Sequence, residues 1–321
     1  MTVRSFTITE QTAGAILSAL RKHDTTLTWS AARSLLAARR LGVNGILVID
    51  EGRRVQPGDQ LDVRATAFPP PPSDSDVRIL FLDPHVVVAE KPSGMLSVRH
   101  PGDQDWRPQR RQRQPSLEES LQRLIEKRER RTAAPNFAEL LPVHRIDRET
   151  SGILVFARTS EAQQGLITQF AAHQTLRRYL CVVPGHPKAT TLRSYQIRDR
   201  GDGLRGSGSE DQPGRHMITH IQPLRAPGGY TELECRLETG RTNQIRIQLA
   251  EIGHPLCGDV KYRGPYGAAP LPDHSQAPRL ALHAAELGFR HPVTGVEHAW
   301  QRPWPGDILR WLATIKSYRA P

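Results

Sequence analysis

The segment HRIDRETSGILVFA, residues 144–157, places a cluster of charged side chains directly before an uninterrupted apolar run. So much charge is unusual for a short loop that leads into a buried strand. Asp147 lies between Arg145 and Arg148, and nearby positive charge favours the ionised form of a carboxyl group. The segment therefore predicts an ionised Asp147 in a cleft, where a carboxylate can act as a nucleophile or a base.

The order His-Arg-x-Asp also suggests the catalytic loop of a protein kinase. A kinase needs His-Arg-Asp without the inserted Ile146, a later Asn, an Asp-Phe-Gly and a glycine-rich phosphate loop. The chain has none of these in the required order, so this alternative is excluded.

Charge and composition favour a polyanionic partner. The 321 residues hold 44 Lys and Arg against 33 Asp and Glu, a net charge of +11, which attracts nucleic acid. Cys181, Cys235 and Cys257 are too far apart in sequence to form a zinc motif and suit a reducing compartment. Because there is neither an apolar signal core nor an apolar run of membrane-spanning length, we expect a cytoplasmic protein without membrane or metal contacts.

Residues 1–66 are predicted to form a small α/β domain. Thr12 and Ser30 are the candidate caps of two helices. The second helix is predicted over residues 31–40, and Gly42 closes it. A hairpin is expected to follow. The stretch LLAARRLGVNGILVIDEGRRVQPGDQLDV, residues 35–63, resembles the S-four-type RNA-binding module, in which the second helix presents basic side chains to RNA. By that resemblance the RNA-binding candidates are Arg33, Arg39 and Arg40, although a solvated basic face is the simpler alternative.

A proline-rich linker, residues 67–76, is predicted to separate this module from a larger domain, residues 77–321. Within the larger domain, residues 107–131 are strongly basic. Their first part, around Arg107–Arg113, is predicted to be a mobile loop, which is either solvated or in contact with RNA phosphate. The second part is predicted to be a helix that Ser116 caps.

Further motifs follow in a characteristic order. They are the turn Lys91-Pro92-Ser93-Gly94, the 144–157 segment, Arg-Tyr at 178–179, GRTNQIR at 240–246, GHP at 253–255 with Gly-Asp at 258–259, and LHA at 282–284 with His-Pro at 291–292. Together, from Glu90 to Pro292, they resemble the RluA-type family of pseudouridine synthases. The resemblance implies an α+β catalytic domain with a mixed, largely antiparallel central sheet, flanking helices and a central cleft.

The resemblance also implies roles for individual residues. Asp147 matches the essential aspartate, Tyr179 the tyrosine that stacks on the target base and accepts the proton from carbon 5, and Arg246 the arginine that pairs with the aspartate. Arg145 matches a residue that enters the RNA stack where the uridine leaves. Further substrate contacts are expected from Arg148, Lys91, Leu282, His283 and Arg241.

The expected reaction is an isomerisation of uridine in structured RNA by a monomeric enzyme that needs no cofactor. Large-subunit ribosomal RNA is the first candidate substrate, transfer RNA the second, and a non-catalytic RNA-binding assembly factor is the alternative class. Addition of the carboxylate to carbon 1′ and formation of a glycal both remain open as mechanisms. Three departures from the family pattern bear on target choice. They are Asn243, where many relatives have His, Arg178, where many have Lys, and the insertion at residues 107–113.

Overall fold

A computed structural model of the protein describes residues 3–103, 108–130, 139–208 and 214–316. The chain divides into two compact units. The first comprises Met1–Pro71 with Arg107–Arg113, and the second comprises Pro72–Trp106 with Gln114–Pro321. Within the described ranges, none of the helices is both long enough and apolar enough to cross a membrane.

The first unit packs two helices against a small antiparallel sheet of strand order β1-β6-β3-β4, beside the two-stranded pair β2-β5. Its core is formed by apolar side chains of both layers, including Leu20, Leu36 and Leu61. Its elements are β1 (Val3–Thr7), β2 (Gly14–Ala15), α1 (Ile16–His23), α2 (Trp29–Ala37), β3 (Leu41–Val43), β4 (Ile46–Leu47), β5 (Arg54–Val55), β6 (Gln60–Arg64) and α3 (Pro108–Arg113).

Both predicted helix caps in this unit are wrong. Thr12 accepts a hydrogen bond from the Thr9 backbone N–H at 2.8 Å within a turn, and α1 begins only at Ile16. Thr28, rather than Ser30, caps α2 by accepting from the Ala31 N–H at 3.1 Å. Neighbouring hydroxyl residues compete for the same cap, and sequence alone does not decide between them.

The basic insertion is also more ordered than predicted. Residues 108–113 form the short helix α3, and the Arg110 guanidinium pairs with the Asp50 carboxylate at 2.7 Å. Arg113 donates to the Ile49 carbonyl at 3.5 Å. The prediction of a mobile loop is therefore wrong for residues 108–113, while Arg107 lies outside the described residues.

The predicted linker is fixed at each end to its own unit. In the first unit, the Arg64 guanidinium lies 4.3 Å from the ring centroid of Phe68. In the second unit, a 3-10 turn, Asp74–Asp76, is closed by a capping box with Ser73, and Arg123 binds both carboxylate oxygens of Asp74 at 2.7–2.9 Å.

The second unit is built on one large sheet of strand order β13-β12-β14-β15-β11-β16-β10-β8-β7, to which β17 and β9 add at β16 and β10. All pairs are antiparallel except β10 with β16, which run parallel at Ser151–His283 and Gly152–Ala284. The strands are β7 (Arg78–Leu82), β8 (Val86–Lys91), β9 (Leu141–Pro142), β10 (Ser151–Ala157), β11 (Leu176–Pro184), β12 (Thr190–Ile197), β13 (Gly206–Gly208), β14 (Arg215–Arg225), β15 (Tyr230–Leu237), β16 (Leu282–Arg290) and β17 (Glu297–Gln301).

Helices cover both faces of this sheet. In β10, Leu154 and Phe156 point to the face that packs against α4 (Leu117–Glu129) and α6 (Gln244–Glu251), whereas Ile153 and Val155 point to the face covered by α5 (Ser160–Ala171). Helix α7 (Gly306–Lys316) covers that second face over β11. Because both faces are buried, β10 is apolar throughout rather than alternating. The predicted α+β fold with a mixed, largely antiparallel sheet and flanking helices is confirmed.

The parallel junction between β10 and β16 depends on Gly152. Its φ of +126° disfavours any side chain, and an added Cβ would lie 2.3 Å from the Ala284 carbonyl oxygen and 2.6 Å from the Ala284 nitrogen. Because the obstacle is strand backbone, it cannot move aside without separating the two strands.

We therefore expect Gly152→Ala to lower the free energy of unfolding by on the order of 4 kcal/mol or more, or to prevent folding. The matched control is Gly306→Ala at the first position of α7, where a Cβ would meet only the flexible end of Arg310 at 3.4 Å and should cost under about 1 kcal/mol. Urea unfolding measures both variants, and equal stability of Gly152→Ala and wild type would contradict the account.

Candidate active site

One cavity of about 720 Å³ in the second unit brings together the three predicted catalytic side chains, Asp147, Tyr179 and Arg246. Asp147 comes from the loop before β10, Tyr179 from the first half of β11, and Arg246 from the first turn of α6. Residues from distant parts of the chain thus converge on one cavity. Arg145, Arg148, Arg241 and Leu282, which were predicted to contact substrate, line the same cavity.

The Asp147 loop is held by the turn that follows β8. Ser97 accepts from the Ile146 N–H at 3.1 Å and its hydroxyl donates to the Ile146 carbonyl at 2.7 Å. The buried Lys91 ammonium donates to the carbonyls of Pro92, Met95 and Arg148 at 2.7–3.0 Å. These bonds fix the backbone on both sides of Asp147, so its carboxylate is placed before any substrate arrives.

Two of the residues predicted to contact substrate, Lys91 and His283, do not line the cavity. Lys91 is fully buried, does not line the cavity, and spends its three N–H donors on backbone carbonyls. His283 is also fully buried outside the cavity lining, where it hydrogen-bonds the Ser151 hydroxyl at 2.9 Å and stacks on Trp304. Both side chains support the strands behind the cavity instead of reaching into it.

Arg246 lies between two carboxylates. Its Nη1 is 3.5 Å from Asp147 Oδ2, while its Nε and Nη2 bind both oxygens of Asp259 at 2.7 and 2.8 Å. The Asp259 side chain has no exposed surface and also accepts from the backbone N–H groups of Lys261 and Tyr262 at 2.8 and 3.1 Å. The stronger, bidentate partner of Arg246 is therefore Asp259, and Asp147 contacts only the remaining nitrogen, Nη1.

Two further side chains hold the same guanidinium. The ring centroid of Tyr262 lies 5.1 Å from Arg246, and Asn243 Oδ1 accepts from Arg246 Nη1 at 3.2 Å. Asn243 adopts a left-handed φ of +58° at the start of α6, a conformation that Asn tolerates better than most residues, and its amide donates to the Tyr262 hydroxyl at 3.1 Å. Sequence reasoning missed Tyr262 and quoted Asp259 only within a motif; the Gly-Asp turn after GHP was the available signal.

The pKa of Asp147 depends on more than the neighbouring arginines. Burial raises the pKa of the Asp147 carboxyl, and the Arg246 guanidinium only partly offsets this increase. Arg148 is paired with Glu149 at 2.7 Å, and the exposed Arg145 contacts the Thr242 hydroxyl at 3.4 Å. The adjacent arginines therefore do not govern the charge of Asp147, because burial has the larger effect. Burial likewise raises the pKa of Tyr179 to about 12, so its phenol is protonated at neutral pH.

In the first unit, the three arginines predicted to bind RNA occupy unlike environments. Arg33 is exposed and lies 3.4 Å from the equally exposed Glu51. Arg40 donates to the Arg64 carbonyl at 2.7 Å, and Arg39 donates to the carbonyls of Phe68 and Pro69. Arg33 is therefore exposed, whereas Arg39 and Arg40 are half-buried against their own backbone and do not form the solvated basic face that was the alternative.

Among the residues that the structure describes, no three His, Cys, Asp or Glu side chains are grouped so that they could hold a metal ion. The three cysteines are buried and free.

The buried His283 makes stability depend on pH. Burial lowers its pKa to about 4, so between pH 6.5 and 4 the unfolded chain binds a proton that the folded chain does not. The contribution of His283 to the free energy of unfolding is fully present above pH 6.5 and decreases as the pH falls. The free energy of unfolding of wild type should decrease as the pH is lowered from 7 to 5. We expect this decrease to be about 2 kcal/mol smaller in His283→Gln. An unchanged pH dependence in urea unfolding would contradict this assignment.

Comparisons with known proteins agree with the geometry of the cavity. The model of the RNA pseudouridylate synthase family matches residues 85–251. The chain is 32% identical over 323 residues to ribosomal large subunit pseudouridine synthase D of Zymomonas mobilis, with 96% of each chain covered. It is 35% identical over 252 residues to the protein of that name from Xanthomonas campestris, covering 76% of this chain and 71% of the relative.

Solved structures show the same fold. Human RNA pseudouridylate synthase domain containing 4 superimposes with a TM-score of 0.57 at 21% identity, covering 74% of this chain and 92% of that structure. The family match and the full-length relative extend the likeness from the fold to the chemistry. The chain therefore belongs to the RluA-type family of RNA pseudouridine synthases, enzymes that isomerise uridine in RNA.

Proposed function

We propose that this enzyme modifies large-subunit ribosomal RNA, with Asp147 as the carboxylate that acts on the ribose of the target uridine. The observation that carries the proposal is the convergence of Asp147, Arg246 and Tyr179 on one cavity. The substrate is inferred from the Zymomonas mobilis relative, a ribosomal large subunit pseudouridine synthase that matches over 96% of both chains. Transfer RNA, the second candidate, has no observation in its favour.

The isomerisation exchanges one bond to the sugar for another. The bond from uracil N1 to ribose C1′ breaks, the base turns, and C5 bonds to C1′. The proton on C5 leaves and one proton is taken up at N1, so that atoms and charge balance. Asp147 either adds to C1′ or removes the C2′ proton, and in both routes its ionised form is required. Because burial raises the pKa of Asp147, we expect activity to be lost on acidification at a higher pH than that at which an ordinary aspartate takes up a proton.

Tyr179 is the proposed partner of the uracil ring. Stacking on an aromatic side chain returns about 1–3 kcal/mol per base, which offsets part of the cost of everting the uridine. With a pKa of about 12, the phenol can receive the C5 proton only if it passes its own proton on, for example to water or to Asp147. Arg145 is exposed and lines the cavity, and its proposed role is to fill the space that the uridine vacates.

The first unit is proposed to be an S-four-type RNA-binding module. Arg33 is its best candidate for a phosphate contact, because its guanidinium is exposed and its single ion pair with Glu51 is long and solvated. Arg39 and Arg40 are better explained as supports of the backbone after β6.

We expect Asp147→Asn to abolish release of tritium from large-subunit ribosomal RNA labelled at uridine C5, because the amide can neither attack C1′ nor accept a proton. RNA affinity should stay within about threefold of wild type, since the side chain keeps its size. The control is Asp202→Asn, which removes an equal charge from an exposed loop. Full tritium release by Asp147→Asn would refute the mechanism, and no release by wild type from this RNA would refute the substrate.

Tyr179→Phe should keep the stacking surface and lose the proton relay. We expect tritium release at saturating RNA to slow by about 100-fold or more, with RNA affinity nearly unchanged. Tyr266→Phe, at an exposed tyrosine outside the cavity lining, is the control and should turn over like wild type. Unimpaired turnover by Tyr179→Phe would remove the hydroxyl from the mechanism.

A further inference from the structure

Arg177 is a buried guanidinium on the wall of the cavity. It lies two residues before Tyr179 on β11, and the alternation of the strand places both side chains on the face that borders the cavity. Only 8% of its surface is exposed. None of the roles described above uses it.

The surroundings of Arg177 differ from those of the other buried arginines in the described ranges. Arg99, Arg158 and Arg246 each have a carboxylate within 2.6–2.8 Å. In the part of the chain that the structure describes, no carboxylate lies at ion-pair distance from Arg177. Its Nη2 donates to the Glu238 carbonyl at 2.7 Å, and its Nε is buried without a hydrogen-bond partner.

The cavity wall is shaped around this group. The guanidinium lies 5.3 Å from the ring centroid of Phe170, which also lines the cavity. A Cβ at Gly240 would lie 2.8 Å from Arg177 Nη1, so the glycine leaves the space that the guanidinium occupies. Burial lowers the pKa of Arg177, which reflects a charge that the protein itself does not compensate.

A buried cation without a counter-ion destabilises a fold, so its partner is expected to arrive with the substrate. Two other cavity arginines are less available for an anion, because Glu149 pairs with Arg148 and two carboxylates surround Arg246. The polyanion in this reaction is RNA, and the planar guanidinium matches the oxygens of a phosphodiester. We infer that Arg177 forms an anion subsite that binds a backbone phosphate adjoining the everted uridine; this rests on the proposed function.

The test compares Arg177→Gln, Arg177→Lys and Arg236→Gln. Arg236 is an exposed arginine on the opposite face of the sheet, paired with Glu234, so its loss removes one charge without touching the cavity. Each protein is assayed by tritium release from a C5-labelled transcript of large-subunit ribosomal RNA, and the salt dependence of transcript binding is measured in parallel.

We expect Arg177→Gln to lower kcat/KM by on the order of 100-fold, as removal of a desolvated charged donor does. The slope of log affinity against log salt should become shallower by about 0.7, the contribution of one phosphate on single-stranded RNA. Arg177→Lys should recover most of the slope, because it restores the charge, and Arg236→Gln should match wild type. The thermal midpoint of Arg177→Gln should not fall, since a structural ion pair is not being broken.

Three outcomes would overturn the inference. The first is an unchanged kcat/KM and an unchanged salt slope in Arg177→Gln. The second is an unchanged salt slope with a shift only in the alkaline limb of the pH profile, which would mean that Arg177 acts on the Tyr179 phenol. The third applies if Arg177→Gln does not fold: the folded Arg177→Lys would then keep the wild-type salt slope even after methylphosphonate neutralises each phosphate beside the modified uridine. Failure of wild type to release tritium would instead refute the proposed substrate, so the two failures are distinguishable.

Discussion

The site depends on how the charge of Arg246 is divided between two carboxylates. A guanidinium offers two parallel N–H bonds on one edge, and Asp259 takes that edge at 2.7 and 2.8 Å. Asp147 is left with a single contact at 3.5 Å. An aspartate in a full bidentate pair would be neutralised and immobile, whereas a carboxylate at the corner of an already paired guanidinium remains available to a sugar. The buried Asp259 therefore sets how much positive charge reaches Asp147.

The remaining structure serves to keep these groups in register. Asp147 lies in a loop bound on both sides by the turn after β8, with Lys91 at its centre. Tyr179 and Arg177 come from the central strand β11, whose neighbour β16 is fixed by the β10–β16 junction, which only a glycine at position 152 permits. Rigid strands and short, hydrogen-bonded loops hold a catalytic constellation more accurately than long loops do, and this arrangement needs little reorganisation when RNA binds.

Much of this could be predicted from local pattern, and the rest could not, for physical reasons. The charged loop before an apolar strand predicted that Asp147 lies in a cleft, because so much charge is unusual at the entrance to a core. The resemblance placed Tyr179 and Arg246 correctly in the same cavity. The role of Lys91 was misjudged because burial of an ammonium by three carbonyls is a tertiary event without a sequence signature. The prominence of Asp259 was missed because a partner thirteen residues away becomes visible only when α6 and the following turn pack together.

The most direct test of this division of charge is the pH profile of kcat/KM for Asp259→Asn, with Asp307→Asn as control for breaking an aspartate–arginine pair outside the cavity. Asp259 contributes to the raised pKa of Asp147, and its removal also lets Arg246 turn toward the Asp147 carboxylate. We expect the acid limb to move to lower pH while the maximum falls by about 10- to 100-fold. An acid limb and a maximum both equal to those of wild type would contradict it.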